Sequence, residues 1–429
     1  MADAADLVHT AGNEAGVLVS IRAAGHDCSR ESASADATFR FLVACVRAVF
    51  DESARCANVG GNSSATDWPL LCTLARENRV DALLLHGLRS LGCEAVPPDA
   101  LALLATYERE NRARNDASAA MLVTILRALG ERAIACLVFK GPILARAYPD
   151  PGTRFYWDLD LLVARTQLAA VHEILVALDY RRDALSLREE RLHMRYHFAH
   201  TYESTQTGPD IDLHWALFPA GFPIPVDYAG LWQRAERVEI DGIVARTFSR
   251  EDMLVYVALH GAKEEWRRLQ MVADVAALLA ARPEIDWERC LRIADACRAC
   301  RKLLLALDLA GALLGTRVPP RLIEAINADP VIATLAGDVI RRQQRLTDRA
   351  TSIFRFSRWR MRSFEHPIDR ARYRWRTLST PRLEHLAMVG LPWLPLAAYV
   401  PVRLVHDYVA IPFRNWGRRS IRRIGHRTP

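Results

Sequence analysis

Phe139-Lys140-Gly141-Pro142, followed by Trp157-Asp158-Leu159-Asp160-Leu161-Leu162-Val163, decides how this chain is read. The first piece closes a short β-type run, Ala135-Cys136-Leu137-Val138-Phe139, with a turn. The second sets two carboxylates at i and i+2 inside an apolar run. Alternate side chains of a strand share a face, so Asp158 and Asp160 project together. Two buried acids side by side repel unless a cation or a proton intervenes. Mg²⁺, a hard ion that prefers oxygen ligands, is the simplest such cation, with Mn²⁺ as its substitute. A third acid recurs in the same context at Ile211-Asp212-Leu213-His214-Trp215.

Strand-borne acids behind a Lys-Gly turn suit metal-assisted transfer of a nucleotidyl group. That chemistry needs divalent ions, a cationic or backbone cradle for phosphates, and activation of an acceptor hydroxyl. On this reading Asp158 and Asp160 hold the ions, and Asp212, on a neighbouring strand, completes the second metal site and lowers the pKa of the acceptor hydroxyl. The Lys140-Gly141 turn leads into a helix N-terminus, which favours phosphate. Lys140 and Arg154 add positive charge. His214 shares a strand face with Asp212, and His260 and Lys263, about one helical turn apart, reach the cleft. Asp274 is expected to hold Arg267, Arg268 or the helix bundle in place. Each feature alone has a plainer reading. An Asp-x-Asp recurs by chance, Lys-Gly is a common turn, Asp212 suits a buried acid paired with Arg, and His214 suits a packed core. Their joint order separates the two readings.

The motifs resemble those of a known group. Lys140-Gly141, Tyr148-Pro149, Arg154, Asp158-Leu159-Asp160-Leu161-Leu162-Val163, Tyr180 and Asp212-Leu213-His214-Trp215 look like the uncharacterised nucleotidyltransferase family of the DNA polymerase β-like superfamily. Phe248-Ser249, Asp252, His260-Gly261-Ala262-Lys263, Trp266, Leu269 and Asp274 are similar to its helical segment. The resemblance spans roughly residues 68 to 345. It implies an α+β fold with a nucleotidyltransferase-type mixed sheet, Mg²⁺ and an NTP, with Asp158, Asp160 and Asp212 as catalytic metal ligands. Lys140, Gly141, Arg154, His214, His260 and Lys263 are the expected nucleotide contacts. Two departures stand out. The superfamily's phosphate turn usually reads Gly-Ser or Gly-Gly, whereas Pro142 here has no N–H to donate. Trp157 stands where a small residue often precedes the first Asp.

Around this core the pattern is helical. Expected divisions are a flexible arm (1–35), a helical domain (36–129), the α/β core (130–248), a second helical domain (249–345) and an Arg-rich, partly apolar tail (346–429). Within the core, 180–187 and 197–202 are expected as strands. Nine scattered cysteines with no regular frame read as reduced thiols, and Cys297-Arg298-Ala299-Cys300 reads as helical spacing rather than a zinc site. The acidic N-terminus is unlike a secretory leader, so a cytoplasmic protein is expected.

The tail carries the positive charge. From Thr351 to Pro429 there are 16 Arg, no Lys and 4 acids, a balance of +12 within a whole-chain charge of +7, which leaves −5 for the remainder. Leu386 to Val402 has no charged residue over 17 positions, but Pro392, Pro395 and Pro401 argue against a straight spanning helix. No transmembrane helix is expected. Three readings of residues 350–429 follow in order: packed or solvated helices, a peripheral anchor on the inner face of a membrane, and an RNA contact. The last would make an RNA-directed nucleotidyltransferase. A further alternative is a non-catalytic nucleotide-binding or scaffold protein with the same fold. The acceptor is unidentified.

Overall fold

The structure is a computed structural model that describes residues 28–55, 66–93, 96–281, 284–344, 357–380 and 399–406. Seven strands form one mixed sheet: β1 (Cys136–Phe139), β2 (Asp158–Val163), β3 (Tyr180–Arg181), β4 (Ala199–Ser204), β5 (Asp210–His214), β6 (Glu236–Ile240) and β7 (Ile243–Thr247). Their order is β3-β4-β5-β2-β1-β7-β6. The central pair β2 and β5 is parallel, as is β1 with β7, and the other pairs are antiparallel.

Period-two alternation sorts the side chains of β2. Leu159, Leu161 and Val163 enter one apolar cluster with Val138, Ile211 and Leu213, beneath helices Pro98–Glu131 and Leu168–Ala177. Asp158, Asp160 and Leu162 therefore face the other way. There Leu137, Phe139 and Leu162 join a larger cluster built from helices at both ends of the chain. Residues from Phe39 to Leu104 and from Met253 to Tyr373 share this core, so the helical segments flanking the sheet pack as one body. The acids lie where that apolar packing gives way to a cavity.

Several local expectations change. The backbone is already helical from Cys28, within the segment expected as an arm, and residues 1–27 lie outside the described residues. The strand expected over 180–187 stops at Arg181, and helix Leu187–Tyr196 follows. A complete capping box starts that helix: Ser186 accepts from the Glu189 N–H and Glu189 accepts from the Ser186 N–H. β6 and β7 form a hairpin, turned by Asp241 (φ 45°) and Gly242 (φ 78°). Cys297 and Cys300 do not share a helix, because one helix ends at Ala296 and the next begins at Cys300. Cys45, Cys72, Cys93, Cys136, Cys290, Cys297 and Cys300 are free thiols. Most of the uncharged run 386–402 and the basic end after 406 lie outside the described residues. Among the described residues no helix is long and apolar enough to cross a membrane.

Candidate active site

A cavity of about 310 Å³ opens where β1, β2 and β5 meet helices Arg250–Lys263 and Leu269–Ala281. Strand register brings the acids together: Asp160 lies across from Asp212, and Asp158 from Asp210. Asp160, Asp212 and His214 each offer a ligand atom, and these atoms lie within 4.8 Å of one another. Asp158 lines the same cavity from the strand face it shares with Asp160.

Asp160 is the focus. Its Oδ1 takes the Lys140 ammonium at 2.6 Å and His214 Nε2 at 3.0 Å. Its Oδ2 is buried and has no partner among the described residues. Burial favours the neutral acid, but the Lys140 charge and the His214 hydrogen bond outweigh it, so the pKa falls to about 2 and the group stays ionised. Asp158 goes the other way: burial, and next the negative charge of Asp160, push its pKa up, against the opposing effect of Lys140. Burial works against the Lys140 charge too, and the Asp160 carboxylate more than compensates. The site therefore has a surplus acceptor oxygen and two mutually repelling carboxylates. Both are what a divalent cation would relieve.

Lys140 reaches Asp160 through an unusual backbone. It sits at φ 60°, ψ −149°, a region essentially reserved for glycine, and Gly141 follows at φ 44°. Such a conformation costs on the order of 1–3 kcal/mol and persists only where the surroundings hold it. A Cβ on Gly141 would meet the Asp158 carbonyl oxygen at 3.3 Å. The helix that follows, Gly141–Ala145, has only 5 residues, and Pro142 at its start has no N–H. Its dipole is thus a weaker phosphate anchor than expected.

Cationic side chains line the cavity instead. Arg79, Arg267 and Arg268 join Lys140 and Lys263 around it. Arg79 lies far upstream and is brought in by its neighbour Asn78, which accepts from Leu269 N–H at 3.1 Å through its side chain and from Gln270 N–H at 3.2 Å through its carbonyl. Its guanidinium rests 4.6 Å above the Phe155 ring. Burial first, and then Arg268, lower its pKa to about 10, so it stays charged at neutral pH. Glu265 and Trp266 both have positive φ (57° and 52°), and this tight turn separates Lys263 from Arg267 and Arg268. The Trp266 ring packs so closely on Gly261 that a Cβ there would lie 2.6 Å from it. Arg267 reaches Glu264 at 2.5 Å, while its buried Nε has no partner among the described residues. Burial and the Lys263 charge hold His260 well below its usual pKa, so it is neutral at pH 7.

Arg154 lines the cavity with a guanidinium that is already paired. Its Nε and Nη2 donate to the two oxygens of Asp274 at 2.7 and 3.1 Å, and the Tyr148 hydroxyl donates to Asp274 at 2.6 Å. The guanidinium lines the cavity but is committed to this carboxylate. Asp274 accordingly binds Arg154 and Tyr148, not Arg267 or Arg268. This arrangement ties the start of β2 to helix Leu269–Ala281.

Asp212 stands at a border. Thr201 Oγ1 donates to its Oδ1 at 2.6 Å. It lines both the first cavity and a second one of about 590 Å³, which also contains His193, His197 and His200. The rings of these histidines are stacked, with centroids 4.2 and 4.7 Å apart. Asp210 adds an acid the motifs had not singled out; burial and then Glu203 raise its pKa to about 6.

Comparison with known proteins identifies the family. The family described as uncharacterised nucleotidyltransferase matches residues 64–315, more than half of the chain, and the chain belongs to it. An antigenic nucleotidyltransferase-like protein from Paracoccidioides brasiliensis is similar at 16% identity, over 50% of this chain and 94% of that one, with a TM-score of 0.30. No curated protein matches.

Proposed function

We propose that this protein transfers a nucleoside monophosphate from an NTP to a hydroxyl or phosphate of an acceptor, releasing pyrophosphate, with Mg²⁺ as the resident ion. One observation carries the reading: buried Asp160 keeps an Oδ2 with no partner among the described residues, in a cavity that Asp158 and Asp212 also line. These three carboxylates would hold the metal. When bound, Mg²⁺ would polarise the α-phosphorus and offset triphosphate charge.

The protein's own groups do the rest. Lys140, Lys263, Arg79, Arg267 and Arg268 would bind and orient the phosphates. His214 fixes the Asp160 carboxylate through Nε2. Asp212, steadied by Thr201 and facing the second cavity, would take the proton from the acceptor hydroxyl as its oxygen bonds to phosphorus. Arg154, held by Asp274, positions the turn before β2 and touches no phosphate on this account.

Incubation with each labelled NTP and Mg²⁺ tests the reading. Wild type is expected to release pyrophosphate and the Asp158→Ala/Asp160→Ala variant is not. A second reading, NTP binding without turnover, draws on the missing Pro142 donor and the Lys140–Asp160 ion pair. Metal-dependent NTP binding with no pyrophosphate from any base would select it.

A further inference from the structure

The Arg-rich tail does not line the cavity above, though Arg360 donates to the Lys263 carbonyl at 2.8 Å, and its described portion has a definite form. Helix Pro367–Ser379 is fixed to the fold along one face. Asp369, Tyr373 and Thr377, spaced by four, are buried. The Tyr373 hydroxyl accepts from Ser357 N–H at 2.9 Å, its ring lies 5.4 Å from that of Phe364, and Asp369 takes Arg298 at 3.4 Å.

The opposite face points outward and is of mixed character. Ile368 is 53% exposed and Trp375, two turns on, is 70% exposed. Arg372, Arg374 and Arg376 are exposed around them, and the helix's only acid is the buried Asp369. A short helix, Tyr399–Val405, packs against this one and adds exposed Leu404 and Val405. Between the two helices, and running into the second, the sequence is uncharged from Leu386 to Val402; beyond Asp407 it carries Arg414, Arg418, Arg419, Arg422, Arg423 and Arg427.

We propose that this face docks on an anionic phospholipid surface. An indole amid arginines suits the headgroup layer, where the ring sits at the interface and the guanidinium groups meet lipid phosphates. Positive charge draws the face to acidic lipid, and the aliphatic side chains enter the acyl boundary. Other occupants fit less well. Trp375 offers a nucleic acid one ring to stack on, whereas exposed Ile368, Leu404 and Val405 offer none. A second copy placed face to face would set arginine against arginine. The proposal does not depend on the nucleotidyltransferase reading, and neither stands or falls with the other.

Co-sedimentation of the full chain with vesicles tests it. Phosphatidylcholine vesicles with phosphatidylglycerol should carry the protein down, and phosphatidylcholine alone should not. Raised salt should release it. Arg374→Gln/Trp375→Ser alters only exposed side chains and should lower the partition coefficient about tenfold or more. An unchanged thermal melting curve for that variant would show that its fold is intact. Equal sedimentation of wild type and variant would place the contact elsewhere and overturn the assignment to this face. Failure to sediment with acidic vesicles would overturn the proposal outright. So would poly(U) binding that is lost in the variant while vesicle binding is unaffected.

Discussion

Two of the buried ion pairs that face the same cavity are satisfied to different degrees. Arg154 and Asp274 form a closed unit: two guanidinium–carboxylate hydrogen bonds, with the Tyr148 hydroxyl on the same carboxylate. Lys140 and Asp160 form an open one: a single ammonium on Oδ1, a histidine beside it and Oδ2 unpartnered. Closure belongs to a group that holds structure. An open, charged acceptor in a dry place is costly, and such costs persist where a ligand completes the set. The backbone agrees, since the open pair hangs on Lys140 in a glycine-like conformation.

The largest expected effect separates the pairs by activity. Asp160→Ala should cut pyrophosphate release by about a thousandfold or more, the scale of losing a charge-stabilising group in phosphoryl chemistry. Steady-state assays with the preferred NTP measure it. If Asp160→Ala retained full turnover, the open pair would be structural after all.

Next comes stability, where the order should reverse. Asp274→Ala strands Arg154 and Tyr148 and should cost about 3–5 kcal/mol by urea denaturation, typical of breaking a buried ion pair. Asp160→Ala should cost less, because Asp158 remains on the same strand face to meet Lys140. Equal losses in the two variants would erase the distinction between closed and open.

A smaller effect should appear within the open site itself. The pKa of Asp158 is raised in the fold, so its ionised form opposes folding, and stability gains as pH falls through the folded pKa. The pKa of Asp160 is depressed to about 2, so its contribution is present above the ordinary carboxylate value and fades as pH drops toward 2. Asp158→Asn should therefore leave the protein as stable at pH 7, or more so, and should abolish any rise in melting temperature caused by added Mg²⁺. A marked loss of stability in Asp158→Asn would contradict the sign.

The last comparison concerns a third buried cation. Lys302 has no carboxylate in ion-pair contact among the described residues; it donates to the Ser363 carbonyl at 3.0 Å and lies 3.9 Å from the Phe364 ring centroid. Burial lowers its pKa to about 7 from an ordinary 10.5. Between those values the unfolded chain binds the extra proton, so stability should rise with pH there. Lys302→Met should flatten that slope in a series of thermal melts from pH 7 to 10, the window those pKa values define.

What was legible in the sequence follows the range of the forces involved. The shared face of Asp158 and Asp160 was readable because strand alternation is local. The approach of Asp212 was readable only through the order of motifs, since register joins residues far apart in sequence. Arg79 carried no local signal: a hydrogen bond from Leu269 N–H to Asn78 brings it in across 191 positions. The pairing of Arg154 with Asp274 has no local signal either, because the two lie 120 residues apart. Two missed elements did have signals. Asp241-Gly242 between alternating residues marks a hairpin, and Ser186 with Glu189 marks a helix start.

The central claim is that Asp158, Asp160 and Asp212 together hold a divalent cation. Titration of wild type and an Asp160→Asn/Asp212→Asn variant with Mn²⁺, followed by the loss of free-ion paramagnetic resonance signal, tests it most directly. Saturable binding by wild type that disappears in the variant is the predicted result. Equal binding by both proteins, or none by wild type in the presence of NTP, would contradict the account.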